Sequence, residues 1–394
     1  MFWSNNTSKL LPTASGPYTP GCSDVMVGYG KNGLFLRLYY PTSSPKIAEK
    51  TSNQRFLWFP TDDTELIGIA KVLKIPYYIL KLVIWWKVNP TVPVLYGQKV
   101  RTEKDMKCII MSHGLGGGRY IYSKICYDLA SHGYLVACIE HRDKSSFCTY
   151  YYENQDNAEK DVKTHIDFEH IPLGGSHFRE RQQQIQHRMA ECLRAIDFIV
   201  QLNNGIVPEN VLDNVPKRRN NEFRLEDLVG KIDVNDLVMM GHSFGAATAL
   251  TTFSKSPNLK QCIALDPWMF PIKDDDLHDK IFGKPVLFIN TQTFHITTNV
   301  NAMAKFMENH KLQMYTIRQT THENQTDTVL VSGYWLNLFM KKLDPHEALN
   351  INNALIFMFL NEHVGVPRNV ETFRKYLEVK SDLYEKGLTK PWQQ

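Results

Sequence analysis

No two of the seven cysteines form a Cys-x-x-Cys pair, which excludes zinc ribbons and thioredoxin-like redox sites. They stand singly at positions 22, 108, 126, 138, 148, 192 and 262. An odd, scattered set makes no disulfide framework and suits a reducing compartment. Cys108, Cys138 and Cys262 lie in apolar runs and read as buried core thiols. Long apolar runs are also missing: none approaches the roughly 20 residues of a membrane-spanning helix. The opening Met1-Phe2-Trp3-Ser4-Asn5-Asn6 lacks the basic start and apolar stretch of a signal peptide, and no glycine follows Met1 to accept a myristoyl chain. A cytoplasmic location, with peripheral attachment to membranes, is expected. The Asn-x-Ser/Thr matches at Asn5, Asn6 and Asn324 then read as chance. A charge excess is lacking too: 45 basic against 41 acidic residues leave a net charge of +4, which calls for no nucleic-acid partner. The sharpest basic cluster, Lys217-Arg218-Arg219, reads as a solvated loop. Neither a Walker-type phosphate loop nor Gly-x-Gly-x-x-Gly occurs, so no nucleotide cofactor is expected, and no metal.

What is present is ordinary for a globular protein with a large core, at 43% hydrophobic and 22% charged residues. There is no internal repeat, and the chain of 394 residues reads as one domain. Residues 1–21 are rich in Ser, Thr, Asn, Pro and Gly and read as a loosely ordered arm; residues 202–234 read as a polar surface excursion. Leu34-Phe35-Leu36-Arg37-Leu38-Tyr39-Tyr40 suggests antiparallel entry strands within 22–60. Short, continuously apolar runs at 108–111, 135–139, 237–240, 262–265, 286–289 and 314–317 suit parallel strands covered on both faces. Helical patterns near 120–131, 178–201, 245–255 and 297–309 fill the gaps, and another follows near 349–361. The alternation predicts an α/β protein with a mostly parallel sheet and helices on both faces.

Gly241-His242-Ser243-Phe244-Gly245 matches Gly-x-Ser-x-Gly between the strand run 237–240 and the helix start Ala246-Ala247-Thr248. Strand, tight turn and helix are the setting in which such a serine is held exposed above a sheet. This is the signature of the α/β-hydrolase fold, with Ser243 as candidate nucleophile. A serine hydroxyl needs a base, and chain order in this fold runs serine, acid, histidine. Asp266 closes the run 262–265 ahead of Pro267, whereas Asp233 and Asp236 precede the serine and Asp274, Asp275 and Asp276 form a charge run. His322 follows the run 314–317; His278, His295, His310, His346 and His363 are less well placed. The oxyanion donors expected are the backbone N–H of Phe244 and, from Ser112-His113-Gly114-Leu115-Gly116-Gly117-Gly118, that of Leu115. His113 and His242 are expected to orient backbone rather than move protons.

Taken in order, Phe35-Leu36-Arg37-Leu38-Tyr39-Tyr40-Pro41, Ser112-His113-Gly114-Leu115-Gly116, Glu140-His141-Arg142-Asp143, Gly241-His242-Ser243-Phe244-Gly245 and Ala264-Leu265-Asp266-Pro267-Trp268-Met269-Phe270-Pro271 resemble the platelet-activating factor acetylhydrolases of the plasma and type II intracellular branch. The resemblance runs from about residue 16 to at least 365. It implies a calcium-independent phospholipase A2 that cleaves the sn-2 acetyl ester of platelet-activating factor, or short or oxidised sn-2 acyl chains. It implies the triad Ser243, Asp266 and His322 and the donors Leu115 and Phe244. Departures are Ala246 for a usual glycine, Pro267 for a usual alanine, and Gly116-Gly117-Gly118 for a usual Gly-Ala-Phe. These leave the chemistry intact and bear on the acyl pocket. A general carboxylesterase of the same fold and a catalytically silent lipid-binding relative are the alternatives.

A phospholipid substrate requires a lipid surface as partner. Tyr77–Lys87 is apolar, carries Trp85 and Trp86, and is flanked by Pro76 and Pro90. Gly333–Met340 is a second such stretch. Each reads equally well as a core-packed helix or as one lying in the interface. The resemblance favours the interface, with Ile79, Leu82, Trp85, Trp86, Trp335 and Phe339 as the contacting side chains.

Overall fold

A computed structural model describes residues 10–44, 56–87, 89–101, 106–216, 221–334 and 340–389. Ten strands form one sheet: β1 (Thr19–Val27), β2 (Leu34–Thr42), β3 (Leu95–Tyr96), β4 (Met106–Ser112), β5 (Leu135–Ile139), β6 (Ile232–His242), β7 (Leu259–Leu265), β8 (Val286–Thr291), β9 (Leu312–Ile317) and β10 (Tyr384–Lys386). Their spatial order is β10-β9-β8-β7-β6-β4-β5-β2-β1-β3. The six strands from β9 to β5 run parallel, and β2 turns antiparallel to both β5 and β1. All six expected parallel strands are present.

Alternation of side chains across the pleat divides the core in two. Cys108, Ile110, Ala137, Met239, Ala264 and Phe288 point to one face. There they meet helices His177–Asn203 and Phe244–Lys255. Ile109, Met111, Val136, Val238, Ile263, Leu287 and Ile289 point to the other. That face is covered by helices Ser123–Ser131 and Pro345–Val364. In chain order the principal helices are α1 (Asp63–Leu73), α2 (Tyr77–Lys87), α3 (Ser123–Ser131), α4 (His177–Asn203), α5 (Phe244–Lys255), α6 (Thr297–Ala304) and α7 (Pro345–Val364). Helices on both faces explain why the central strands are apolar at every position rather than at every second one.

Two expectations are corrected. The described part of the N-terminal arm is docked, not loose. Leu11 is buried, Ser15 bonds Asp128 through its N–H and hydroxyl at 2.7 and 2.9 Å, and Gly16 lies so close to Ser131 that a Cβ would meet its carbonyl oxygen at 2.2 Å. Polar composition suggested solvent, but these polar groups are satisfied by α3. Residues 202–234 are likewise more than a surface excursion: Phe223, Leu225, Leu228 and Ile232 enter the core beside α4, and Val211, Leu212 and Val215 pack on Met26 and Phe35. The cluster Lys217-Arg218-Arg219 falls outside the described residues.

Candidate active site

Ser243 stands on the turn between β6 and α5 with φ 57° and ψ −118°. A non-glycine residue held there stores strain on the order of 1–3 kcal/mol. The flanking glycines make the turn sterically possible. A Cβ on Gly241 would lie 2.1 Å from Gly245 O, and one on Gly245 2.1 Å from Ser112 O. The Ser243 N–H donates to Leu265 O at 2.9 Å, which fixes the turn against the end of β7.

Asp266 follows directly, itself at φ 43°, and is buried. Both carboxylate oxygens are engaged. Oδ1 accepts from Thr291 N–H at 2.9 Å; Oδ2 accepts from the Thr291 hydroxyl at 2.5 Å and from His322 Nδ1 at 2.6 Å. A carboxylate accepts only, so Nδ1 carries the proton and Nε2 is left free to act as a base. The His322 ring stacks on Phe294 at 3.8 Å between centroids, and the His242 ring lies 4.5 Å from it. His242, Asp266 and His322 place ligand atoms within 4.8 Å of one another. The two imidazoles are tilted by 32° to one another.

The loop after β4 lies against the serine: a Cβ on Gly114 would be 3.3 Å from Ser243 Cβ. Its amides are used selectively. Gly114 N–H donates to the Tyr122 hydroxyl at 2.8 Å, Gly116 N–H to Ser145 O at 2.8 Å and Gly117 N–H to Gly114 O at 3.1 Å. Among the described residues none accepts from Leu115 N–H or Phe244 N–H. Those two donors are therefore available to an oxygen above Ser243.

This loop is held by His113 and His242, as expected, and by Tyr122, Arg188 and Glu191, which the sequence did not single out. Tyr122 bridges it to the nucleophile turn, since its hydroxyl also meets His242 Nδ1 at 2.9 Å. His113 accepts from His141 N–H through Nε2, and Arg188 Nη1 donates to His113 O at 2.6 Å. Ser112 Oγ bonds His141 Nε2 at 2.7 Å, and His141 Nδ1 bonds Glu191 Oε2 at 2.7 Å. This is a second serine–histidine–carboxylate chain, but Ser112 is wholly buried and cannot meet a substrate. Burial, then the neighbouring His322, keeps the His242 imidazole well below its ordinary range, and burial with Arg188 does the same for His113. Both are neutral at pH 7, in keeping with orienting roles.

Glu191 shows how the support depends on pH. Burial by itself raises its pKa, but hydrogen bonds from His141 and His187 outweigh that and hold the carboxyl below the usual range. A depressed folded value contributes stability above the unfolded value, and that stability is lost as pH falls through the folded one. Glu191→Gln is expected to lower stability at pH 7 by about 1.5–3 kcal/mol, the scale of hydrogen bonds to charged groups. Melting temperatures of the two proteins should differ clearly at pH 7 and converge at acid pH. A difference that widens on acidification contradicts the assignment.

Fold and site together define the class: an esterase of the α/β-hydrolase fold. The comparisons with known proteins then fix the family. The model of platelet-activating factor acetylhydrolase, isoform II, matches residues 3–382, and the chain belongs to that family. It is similar to the platelet-activating factor acetylhydrolase of Canis lupus familiaris, 34% identical with 96% of this chain and 85% of that one covered. It is also similar to that of Gallus gallus, 32% identical with 92% and 85% covered. A putative phospholipase A2 of Schizosaccharomyces pombe is 25% identical over 91% of this chain and 93% of its own. Among solved structures, a ferulic acid esterase from Streptomyces cinnamoneus superposes with a TM-score of 0.61 at 13% identity, covering 91% of this chain and 93% of that one. That likeness concerns the fold.

Proposed function

We propose that this protein hydrolyses the sn-2 acetyl, or short or oxidised acyl, ester of platelet-activating factor and related glycerophospholipids, with Ser243, His322 and Asp266 as its catalytic triad. The observation that carries the reading is the 2.6 Å contact between His322 Nδ1 and a buried Asp266, beside a serine on a strained turn. His322 Nε2 takes the Ser243 proton as Oγ attacks the ester carbonyl. The tetrahedral oxygen then receives the N–H groups of Leu115 and Phe244. Collapse expels the lysophospholipid alkoxide, which takes the proton back from His322. Water, activated by the same imidazole, releases acetate from the acyl-enzyme. No step calls for a metal, so EDTA should leave the rate unchanged. Acetate release from platelet-activating factor, compared with release from long-chain phosphatidylcholine and p-nitrophenyl acetate, tests the substrate class; a general carboxylesterase would show no preference for the phospholipid acetate.

The same reading needs a lipid surface, and α2 offers one. Tyr78, Ile79, Leu82 and Trp85 are exposed by 81, 51, 55 and 78%, and Leu73 at the end of α1 by 55%. Isolated exposed apolar residues are commonplace, but a cluster on two adjacent helices is not. It also lies near the site, because α1 reaches the oxyanion loop: a Cβ on Gly116 would touch Val72 Cγ1 at 2.8 Å. The side chain of Trp86, and Trp335 and Phe339, fall outside the described residues. Burying one such side chain is worth roughly 1.5–3 kcal/mol. Replacing Leu82 and Trp85 together by Ala should weaken vesicle binding by at least about 100-fold, while the rate on a water-soluble ester falls far less. Unchanged vesicle binding contradicts the interfacial role. No helix among the described residues is long and apolar enough to cross a membrane. All seven cysteines are free and buried, which supports a reducing, cytoplasmic setting with peripheral attachment to lipid.

A further inference from the structure

A buried cation without a carboxylate partner stands beside the nucleophile turn. Arg181, near the start of α4, is only 3% exposed. Its Nη1 donates to Gln184 Oε1 at 2.7 Å, and its Nε reaches His177 Nε2 at 3.4 Å. Both partners are neutral, since burial and then Arg181 itself push the His177 imidazole below its ordinary range. The acid whose charge it feels most is Asp143, and that carboxylate is taken by Arg188 at 2.9 Å. The Arg188 cation opposes Arg181 there, and the neighbouring Glu180 adds a smaller negative charge without forming an ion pair with it. The other deeply buried arginines are compensated: Arg37 bonds Asp24, Arg119 bonds Glu140, and Arg142 is surrounded by backbone carbonyls. An uncompensated buried charge lowers stability and persists where function needs it.

Its surroundings say what the function is. The guanidinium lies 6.0 Å from the Phe244 ring centroid and 5.8 Å from that of Trp268. Phe244 carries one proposed oxyanion donor, and Trp268 N–H donates to Ser243 O at 3.1 Å. Of the Arg181 nitrogens, Nε and Nη1 have hydrogen-bond partners and Nη2 has none among the described residues. An unpaired guanidinium nitrogen, a positive charge without an ion-pair partner and a position against the Phe244 and Trp268 rings match an anionic oxygen group attached to the substrate. In a glycerophospholipid the phosphate is separated from the sn-2 ester by only a few bonds.

We propose that Arg181 is a specificity-determining residue that receives the substrate's phosphodiester, so that the site favours phosphorylated esters over neutral ones of the same acyl chain. This rests on the esterase function proposed above. The test compares kcat/KM for 1-alkyl-2-acetylglycerophosphocholine with that for 1-alkyl-2-acetylglycerol, which lacks the phosphate, in wild type, Arg181→Gln and Arg181→Lys. p-Nitrophenyl acetate and an ω-carboxyl p-nitrophenyl ester serve as further arms. The expected result is that Arg181→Gln lowers the phospholipid-to-neutral ratio by about 10- to 100-fold, and that Lys restores part of it. An equal loss on all substrates overturns the proposal, because Arg181 would then only support Phe244 and Trp268. A selective loss confined to the ω-carboxyl ester overturns it as well, in favour of acyl-chain recognition. If wild type hydrolyses none of these esters, or Ser243→Ala hydrolyses them all, it is the esterase reading that fails.

Discussion

Ser243→Ala is expected to lower kcat for sn-2 acetate release by about 10⁴- to 10⁶-fold, the scale seen when a hydrolase loses its nucleophile. The loss should come without unfolding. Alanine keeps the Cβ, so it meets the φ of 57° with the same strain as serine, and the hydroxyl is the only group removed. The residual rate is expected to come from the proposed Leu115 and Phe244 donors, with water as the nucleophile. A melting temperature close to that of wild type, together with the lost activity, separates a chemical effect from a structural one. A variant that retains a tenth of the wild-type rate contradicts the assignment.

Asp266→Asn should cost nearly as much, about 10⁴-fold in kcat, by analogy with loss of the triad acid elsewhere. The reason lies in the direction of four hydrogen bonds. The carboxylate accepts from Thr291 N–H and the Thr291 hydroxyl, from His322 Nδ1, and through its own N–H the residue donates to Ile289 O. An asparagine must put its NH2 group where one of the two oxygens stood. Facing Thr291 N–H, it sets donor against donor. Facing His322, it offers a proton to Nδ1 and drives the imidazole into the tautomer with its proton on Nε2. That tautomer cannot accept from Ser243. The activity should recover little at any pH between 5 and 9, and a variant within tenfold of wild type contradicts the role of Asp266.

The residues proposed to carry the chemistry could be picked out in the sequence because each one follows an apolar run. Ser243 follows β6, Asp266 follows β7, His322 comes after β9 and Leu115 after β4. In a parallel sheet these ends share one edge, so residues scattered over more than 200 positions converge. The supporting groups were not legible. Thr291 is one of many threonines, and nothing around it signals that both its donors reach Asp266. The Ser112–His141–Glu191 chain joins a strand end, a loop and the middle of α4, separated by 29 and 50 residues with no fixed spacing. The arm before β1 misled for a different reason. Its serines and glycine look like a linker, but Ser15 and Gly16 are chosen for close polar contact with Asp128 and Ser131. On α2 the apolar pattern alone could not distinguish core from surface, and only the exposure of Trp85 and Leu82 does so.

The central claim is that one serine, activated by His322, forms an acyl-enzyme. It is tested most directly by labelling the intact protein with a fluorophosphonate probe and mapping the modified peptide. The expected result is stoichiometric loss of activity, a single adduct on Ser243, no label on Ser243→Ala and slow labelling of Asp266→Asn. Absence of label on active wild type, or full labelling of Ser243→Ala, would contradict it.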